Sequence, residues 1–318
     1  MSKFLRAYIK SMRPYTFFIT GIAGLIGMLL VKSSANIIQQ IIVLVLLFSS
    51  YGINQVINDL LGLREDKWNA PFRPSISGEL DKRRAIIVTF IIIVLGAVIT
   101  FFFNPYALII YFAGYSFGIL YEYMKGIPVI GQFWFGFLIS LATIYGALAI
   151  TNQTLFQILN NTDLMYIALL VMLSSATMCY FTYFKDYLGD KKEGKKTLIV
   201  LLTTNYARKL NFLMSLLPFI ILFCICYFNL WSLRINSCFL ILTTIAFILS
   251  QYTSLLYYKH HNNSDKEKSN LELNFESTVL FQVSLVALVN PLLAVILFVF
   301  SFLVIKAIFN RMYKNNLY

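Results

Sequence analysis

Two groups of acidic side chains, each at the end of a long apolar stretch, are the clearest chemical signal in this chain. The first runs from Asn58 to Asp66 as Asn-Asp-Leu-Leu-Gly-Leu-Arg-Glu-Asp, and the second from Lys185 to Asp190 as Lys-Asp-Tyr-Leu-Gly-Asp. Carboxylates beside apolar segments are costly unless they have partners. Carboxylate and amide oxygens are the ligands that Mg²⁺ prefers, usually shared with substrate phosphates. The two motifs therefore indicate a site for a divalent metal and a phosphorylated ligand.

Helical spacing would bring the side chains of each motif to a common face. Asn58, Gly62 and Asp66 are four residues apart, and so are Asp186 and Asp190. Residues at this spacing lie on one side of an α-helix. Basic side chains near the motifs are suited to bind the phosphate oxygens that the metal leaves free. They are Arg64, Arg73, Lys125, Lys185, Lys195 and Lys196. Such a set would stabilise negative charge on a departing diphosphate.

Membrane-spanning helices are the elements that must position these residues. Of the 318 residues, 59% are hydrophobic and 13% are charged, which is about half the charged fraction of globular proteins. Long continuous apolar runs predict helices, since the strands of a membrane barrel alternate in polarity. The net charge of +12 comes from basic residues at the ends of apolar runs, where the positive-inside rule expects them. We therefore expect a lipid bilayer and no nucleic acid as partner.

We predict an all-α polytopic membrane protein, a bundle of about nine transmembrane helices. Residues 1–318 would form a single domain with two motif-bearing halves, about 1–125 and 126–318. Asn290-Pro291 should kink or break the last predicted span, because proline interrupts helical hydrogen bonding, so ten helices remain an alternative. The predicted spans are 15–32, 38–63, 84–103, 105–123, 128–150, 164–187, 205–229, 232–257 and 276–311.

The distribution of basic residues predicts the orientation. With the N-terminus in the cytosol, most of the 26 Lys and Arg residues fall on the cytosolic side, as the positive-inside rule requires. Both acidic motifs would then lie on the cytosolic face. Lys306 and Arg311 would lie on the opposite side of a nine-helix bundle, and a chain reversal at Asn290-Pro291 would remove that conflict.

Four features of the sequence resemble the UbiA superfamily of intramembrane prenyltransferases, and the resemblance covers nearly the whole chain. They are Arg13-Pro14 before the first span, the Asn-x-Pro-x-Arg-Pro run from Asn69 to Pro74, the Tyr-x-x-x-Lys pair Tyr121 and Lys125, and the Asp-x-x-Gly-Asp-x-x-x-Gly-x-x-Thr signature from Asp186 to Thr197. The last of these is the most specific.

The resemblance implies a central cavity in which Mg²⁺ ions, held by both motifs, bind an isoprenyl diphosphate. Ionisation would give an allyl cation that a lipophilic acceptor attacks. Carried over by position, the catalytic residues and metal ligands would be Asn58, Asp66, Asp186 and Asp190. The substrate contacts would be Arg73, Tyr121 and Lys125, with Lys185 as a further contact.

Position 62 departs from the pattern of that family. The family usually has a carboxylate four residues after Asn58, whereas this chain has Gly62. Asp59 would point about 100° away from Asn58 on a helix and so could not simply replace it. One metal site would therefore be weaker. A glycine at this position also resembles the branch of the superfamily that cyclises its substrate, the UbiA-type terpene cyclases.

Three functions remain open at this point. The resemblance favours prenyl transfer to an aromatic or lipid acceptor, because most members of the superfamily are prenyltransferases. Cyclisation of the same diphosphate without an acceptor is favoured by Gly62 and by the placement of every Asp and Glu at a span end or in a loop, which leaves no mid-span base for an acceptor. A transporter is a remote alternative. It would carry buried charges within its spans and broken helices in matching halves, whereas here the carboxylates are predicted at span ends and only Asn290-Pro291 breaks a predicted span.

Overall fold

The computed structural model describes residues 2–259 and 264–313, and the side chains of all of these except 264–269 and 313. This part of the chain is helical and contains no strand. Besides a short 3₁₀ turn at Pro14–Thr16, its helices are α1 (Lys3–Met12), α2 (Phe17–Leu29), α3 (Ile37–Leu61), α4 (Leu63–Asn69), α5 (Pro74–Ser77), α6 (Lys82–Phe103), α7 (Ala107–Met124), α8 (Ile130–Ala149), α9 (Leu155–Leu159), α10 (Thr162–Lys192), α11 (Leu198–Tyr227), α12 (Ser237–Lys259), α13 (Ser264–Val286) and α14 (Pro291–Tyr313).

Nine helical stretches within the described residues are long and apolar enough to cross a membrane. They are α1 with α2, then α3, α6, α7, α8, α10, α11, α12 and α14. The prediction of an all-α, multi-pass membrane protein is therefore confirmed. Helix α13 also has 23 residues and packs in the bundle, but it is not one of these nine.

The predicted last span, 276–311, is wrong as a single helix. The chain instead forms α13, a short turn that ends at Asn290, and α14, and the two helices pack against each other. Pro291 begins α14, where the missing amide N–H removes no helical hydrogen bond. The predicted break at Asn290-Pro291 is therefore confirmed. Hydropathy did not reveal α13 because polar side chains such as Asn274 and Glu276 are buried on it.

Glu276 corrects a second expectation. Its side chain is buried, with 3% of the residue exposed, and it lies midway along α13 rather than at the end of a span or in a loop. Lys306 on α14 interacts with it electrostatically. A buried carboxylate within the bundle removes one reason to favour cyclisation and one reason to disfavour transport.

Helices α8 and α10 form the centre of the bundle. Buried residues make up 78% of the apolar segment in each of them, against 17% in α6, which therefore lies at the periphery. α8 packs against both α2 and α10, and α3 packs against α2 and α7. The second motif is thus carried by a central helix, and the first lies at the end of α3, where a break at Gly62 separates α3 from α4.

One close contact ties the two motif regions together. Asn69, the last residue of α4, accepts a hydrogen bond from the backbone N–H of Gly189 through its Oδ1 at 2.8 Å. A Cβ atom on Gly189 would lie 2.5 to 2.6 Å from the end of the Asn69 side chain, so a glycine is needed for this approach. The contact brings α4, which carries Asp66, against α10, which carries Asp190.

Candidate active site

The eight residues predicted for the site meet at one cavity, which we call the polar cavity. The empty space in it, including the part continuous with solvent, is about 780 Å³. Asp190 adjoins it through Lys125, whose Nζ lies 3.0 Å from Asp190 Oδ1. The other seven line it directly: Asn58, Asp66, Arg73, Tyr121, Lys125, Lys185 and Asp186. The structure brings all eight together, and their individual roles remain predictions.

Two arginines hold the carboxylates of the first motif. Arg73 donates a hydrogen bond to Asp66 and its Nη1 lies 3.5 Å from Asp59 Oδ1, while Arg13 donates to Asp59 from the turn after α1. Burial raises the pKa of the Asp66 carboxyl above its usual range, and the charges of Asp59 and Asp186 raise it further, although Arg73 opposes this. Burial alone would lower the pKa of Arg73, yet its acidic neighbours raise it above its ordinary value. The ionisable groups around the first motif are thus buried, and the pKa of each depends on the charges of its neighbours.

Lys125 holds the carboxylates of the second motif. Its Nζ lies 3.3 Å from Asp186 Oδ2 and 3.0 Å from Asp190 Oδ1. Burial alone would lower the pKa of the Lys125 ammonium, but the charges of Asp186 and Asp190 raise it above its usual range. Tyr121, one turn earlier at the end of α7, donates a hydrogen bond to the hydroxyl of Tyr183 at 3.2 Å. The end of α7 therefore supplies both a cation and an aromatic ring to the cavity.

A third charged group centres on Lys195. Its Nζ lies 3.0 Å from Glu65 Oε1 and also donates a hydrogen bond to Glu122. Both glutamates line the polar cavity. Burial tends to raise the pKa of the Glu65 carboxyl, but hydrogen bonds from its own backbone N–H and from Lys195 bring that pKa below its usual value. Lys195 therefore links the loop after the second motif to α4 and to the end of α7.

The oxygen atoms at the site fit a hard divalent cation. Asn58 Oδ1, Asp186 Oδ1 and Asp190 Oδ2 are buried and have no hydrogen-bond partner within residues 2–259 and 264–313. No three His, Cys, Asp or Glu side chains in those ranges lie close enough together to hold an ion by themselves. Mg²⁺ commonly keeps part of its coordination shell for waters and substrate phosphates. The carboxylates and the amide of Asn58 thus suit an ion that is shared with a diphosphate.

A second cavity, which we call the apolar chamber, adjoins the polar cavity. Tyr51, Gln55, Asn58 and Phe135 line both. Its empty space is about 650 Å³. The rest of its lining is mostly aliphatic and aromatic and includes Leu46, Leu47, Ile110, Tyr111, Tyr115, Leu138, Ile139, Leu141, Ala142 and Tyr145. A molecule with a charged head and an apolar chain would fit across the two.

Comparison with known proteins agrees with this arrangement. Residues 17–276 match the sequence profile of the UbiA prenyltransferase family. This chain belongs to the UbiA prenyltransferase family. The expected family membership is therefore confirmed, and it accounts for an integral membrane fold in which charged motifs surround an internal cavity.

Two curated relatives share the name digeranylgeranylglyceryl phosphate synthase. The protein from Methanocaldococcus jannaschii is 28% identical over 277 residues, which cover 83% of this UbiA family member and 89% of the relative. The protein from Pyrococcus abyssi is 24% identical over 218 residues, which cover 68% of this chain and 76% of the relative.

Solved structures share the fold over most of the chain. A structure described as giving insights into digeranylgeranylglyceryl phosphate synthase in membranes is 25% identical, with a TM-score of 0.60, and covers 90% of this chain and 98% of its own. A UbiA homologue from Aeropyrum pernix is 15% identical, with a TM-score of 0.71 and coverages of 86% and 97%. A UbiA homologue from Archaeoglobus fulgidus, bound to DMAPP and Mg²⁺, is 16% identical, with a TM-score of 0.62 and coverages of 89% and 99%.

Charged residues without a predicted role also line the polar cavity of this UbiA family member. Asp59 was expected to point away from Asn58, and it pairs with the two arginines at the edge of the cavity. Gln55, four residues before Asp59, accepts a hydrogen bond from Arg13, so this spacing was an available signal. Glu122 has no such signal, because its partner Lys195 lies far away in the sequence.

Proposed function

We propose that this chain is a Mg²⁺-dependent enzyme that transfers the prenyl group of an isoprenyl diphosphate to a lipophilic acceptor and releases diphosphate. The observation that carries the proposal is the shared boundary between the polar cavity and the apolar chamber. The curated relatives are named as synthases of digeranylgeranylglyceryl phosphate, which favours a prenylated glyceryl phosphate as the acceptor. The Archaeoglobus fulgidus homologue, bound to DMAPP and Mg²⁺, supports the same class of donor and the same ion.

In this proposal the polar cavity binds the diphosphate head. Arg73, Lys125 and Lys185 contact its oxygens, since each of these cations lines the cavity. Metal ligands come from both motifs and are Asn58, Asp66, Asp186 and Asp190. Bound Mg²⁺ would neutralise the negative charge that collects on the diphosphate as it leaves. The ion pairs of Arg73 and Lys125 keep the carboxylates in place before the substrate arrives.

The boundary between the two cavities would hold the reacting carbon. The bond between this carbon and the diphosphate oxygen breaks, and its electron pair leaves with the diphosphate. Phe135 packs against Tyr51 and Tyr121, with ring centroids 6.2 and 5.3 Å away, so three aromatic rings lie near the place where the allyl cation would form. The face of such a ring stabilises a nearby cation by about 2 kcal/mol when water is excluded. The acceptor oxygen then forms the new bond to this carbon, and its proton passes to the released diphosphate.

The orientation predicted from the basic residues belongs to the same proposal. The first motif at the end of α3 and the second at the end of α10 lie on one side of the bundle, because Asn69 and Gly189 are hydrogen-bonded. We propose that this side faces the cytosol, where a soluble diphosphate product would leave. The two motif-bearing halves would act together as one domain.

Cyclisation without an acceptor is the second candidate function, and Gly62 is the observation that favours it. It would use the same ionisation step, after which a double bond of the prenyl chain would attack the cation in place of an acceptor. Transport remains the third alternative, and it would release no diphosphate.

The test is an incubation of the purified protein in detergent with Mg²⁺ and diphosphates of ten, fifteen and twenty carbons. Each is supplied with and without a prenylated glyceryl phosphate, and products are identified by mass spectrometry. Prenylated acceptor, formed only when acceptor is present and lost in Asp190→Ala, is the expected result. A cyclic hydrocarbon or terpene alcohol formed without acceptor would make the chain a cyclase. No diphosphate release with any donor would contradict both enzymatic proposals.

A further inference from the structure

The space beside Gly62 is filled by a carboxylate from another helix. The Oε1 and Oε2 atoms of Glu122 lie 3.5 and 3.6 Å from the point where a Cβ atom on Gly62 would stand. The backbone of Gly62 has φ −85° and ψ 26°, so its conformation does not itself require glycine. The Glu122 carboxylate therefore occupies the region that the side chain of an aspartate at position 62 would enter.

Glu122 belongs to the end of α7 that already faces the site. Its neighbour Tyr121 lines the polar cavity, as does Lys125, three residues later, and so does Glu122 itself. The Glu122 side chain is only 17% exposed. A carboxylate at this depth needs a cationic partner. Its partner is Lys195, just as Lys125 is the partner of Asp186 and Asp190.

We propose that Glu122 is a metal-binding residue, which supplies from α7 the carboxylate that position 62 lacks. The inference rests on the proposed function, because it concerns the same Mg²⁺–diphosphate centre. An independent observation points to a cation in the same region: Lys125 interacts electrostatically with both Glu122 and Asp190, and Asp190 is fully buried with an Oδ2 that has no hydrogen-bond partner in the described part of the chain. The first motif then keeps a full complement of oxygen ligands, although one of them comes from a different helix.

This assignment changes what Gly62 means for function. Glu122 supplies from α7 the carboxylate that the first motif lacks at position 62. Gly62 then no longer indicates a weakened metal site, and it gives less support to cyclisation. The same assignment also predicts the effect of Gly62→Asp. With Glu122 in place, an aspartate at position 62 would bring two carboxylates together, and like charges at such a distance repel.

The test measures metal binding directly, by titrating the purified full-length protein with Mn²⁺ in the presence of inorganic diphosphate and following free Mn²⁺ by electron paramagnetic resonance. Glu122→Gln should raise the Kd for Mn²⁺ by about tenfold or more. Glu122→Asp, which keeps the charge and shortens the side chain, should raise it less. Glu79→Gln is the matched control and should leave it unchanged, because Glu79 is an exposed glutamate outside the cavity, paired with Lys10.

Two further variants separate metal binding from a purely structural role. These variants are compared in titrations without diphosphate, so that any contact between Lys195 and phosphate plays no part. If Glu122 served only to hold Lys195, then Lys195→Met would weaken Mn²⁺ binding as much as Glu122→Gln does. A metal-binding Glu122 predicts instead that Lys195→Met leaves the Kd for Mn²⁺ unchanged or lowers it, because a competing cation is removed. The double variant Gly62→Asp/Glu122→Gln should recover most of the lost affinity, whereas Gly62→Asp alone should not improve on the wild type.

The outcomes distinguish this inference from the proposed function. Unchanged Mn²⁺ affinity in folded Glu122→Gln, or an equal loss in Lys195→Met, would overturn the role of Glu122 while leaving the metal centre intact. Failure of the wild-type protein to bind Mn²⁺ with diphosphate would contradict the proposed function itself, and the role of Glu122 would fall with it.

Discussion

The polar cavity and the apolar chamber share a boundary but are built in different ways. Charged residues of the polar cavity come from the turn after α1 and from α3, α4, α7 and α10, and they are held by ion pairs between elements. The chamber is lined mainly by α3, α7 and α8, and aromatic rings such as Tyr111 and Tyr145, with centroids 5.9 Å apart, pack directly on one another. The polar cavity is thus held by ion pairs, whereas the apolar chamber is shaped by the packing of side chains.

Because of this difference, we expect that the rate and the choice of substrate can be altered separately in this protein. Charged groups that act on the diphosphate would stabilise the transition state and so set the rate of ionisation. Packing in the chamber would determine which prenyl chain is accommodated, because close-packed interiors respond to small changes in volume. Variants of the polar cavity should therefore lower the rate, and variants of the apolar chamber should change which prenyl chain is accepted.

The largest effect is expected for Asp190→Ala, beside the polar cavity. Turnover should fall by about 1,000-fold or more, since a buried carboxylate is lost from the proposed metal site. The fold should persist because Lys125 keeps Asp186 as a partner. Asp163→Ala is a matched control at the other end of α10, where Asp163 accepts a hydrogen bond from Ser232 N–H, and it should retain turnover. Retained turnover in Asp190→Ala itself would refute the assignment of the metal site.

Lys125→Met should give the next largest effect. We expect kcat/KM to fall by about 100-fold, because a cation that would contact the diphosphate is removed. The variant also leaves Asp186 and Asp190 without their ammonium partner, so added Mg²⁺ should raise its melting temperature more than that of the wild type. Lys82→Met, at the exposed start of α6, should behave as the wild type in both assays. Equal kcat/KM in Lys125→Met and Lys82→Met would show that Lys125 has no catalytic role.

A change in the chamber should alter substrate choice instead of rate. Ala142 lines the chamber from α8, so Ala142→Trp would shorten the space for a prenyl chain. We expect kcat/KM to fall by about tenfold for a twenty-carbon diphosphate and to change little for a ten-carbon one. Ile91→Trp, on the exposed surface of α6, should change neither value. An equal loss for both chain lengths in Ala142→Trp would break the distinction between the compartments.

The smallest effect concerns the contact that joins the two motif regions. Gly189→Ala should displace the Asn69 side chain and cost its hydrogen bond, which is worth about 1 kcal/mol. Activity should fall severalfold, and Asn69→Ala should give a similar loss. If both act through this contact, the double variant should be no worse than either single one. Additive losses in a double-mutant cycle would indicate that the two residues act independently.

The motifs could be predicted from the sequence because their information is local. Residues four apart on a helix share a face, which placed Asn58 with Asp66 and Asp186 with Asp190. The cations Arg73, Lys125 and Lys185 were indicated by their position near the motifs, and the resemblance to the UbiA superfamily added Tyr121 and the individual roles. Contacts between distant elements could not be predicted in this way. Glu122 gains its significance only from its position beside Gly62, since nothing in the sequence relates the two.

The error in the last helices has a different physical cause. Hydropathy assumes that a helix in a membrane protein presents apolar side chains to lipid. Helix α13 packs against α2, α10, α12 and α14, so its polar side chains find protein partners instead. Asn274, for example, donates a hydrogen bond to the carbonyl oxygen of Met178 on α10 at 2.9 Å. A helix that is surrounded by other helices in this way does not stand out in a hydropathy profile.

Photo-crosslinking can show directly whether one isoprenyl diphosphate spans the two cavities, with a substrate that carries a diazirine at the far end of its prenyl chain. The labelled peptides would then be identified by mass spectrometry. If the diphosphate lies in the polar cavity and the chain in the apolar chamber, the label should fall on chamber residues such as Ile110 on α7 or Leu138 on α8, and excess inorganic diphosphate with Mg²⁺ should suppress it. Labelling confined to the outer faces of α11, α12 or α14 would contradict the account.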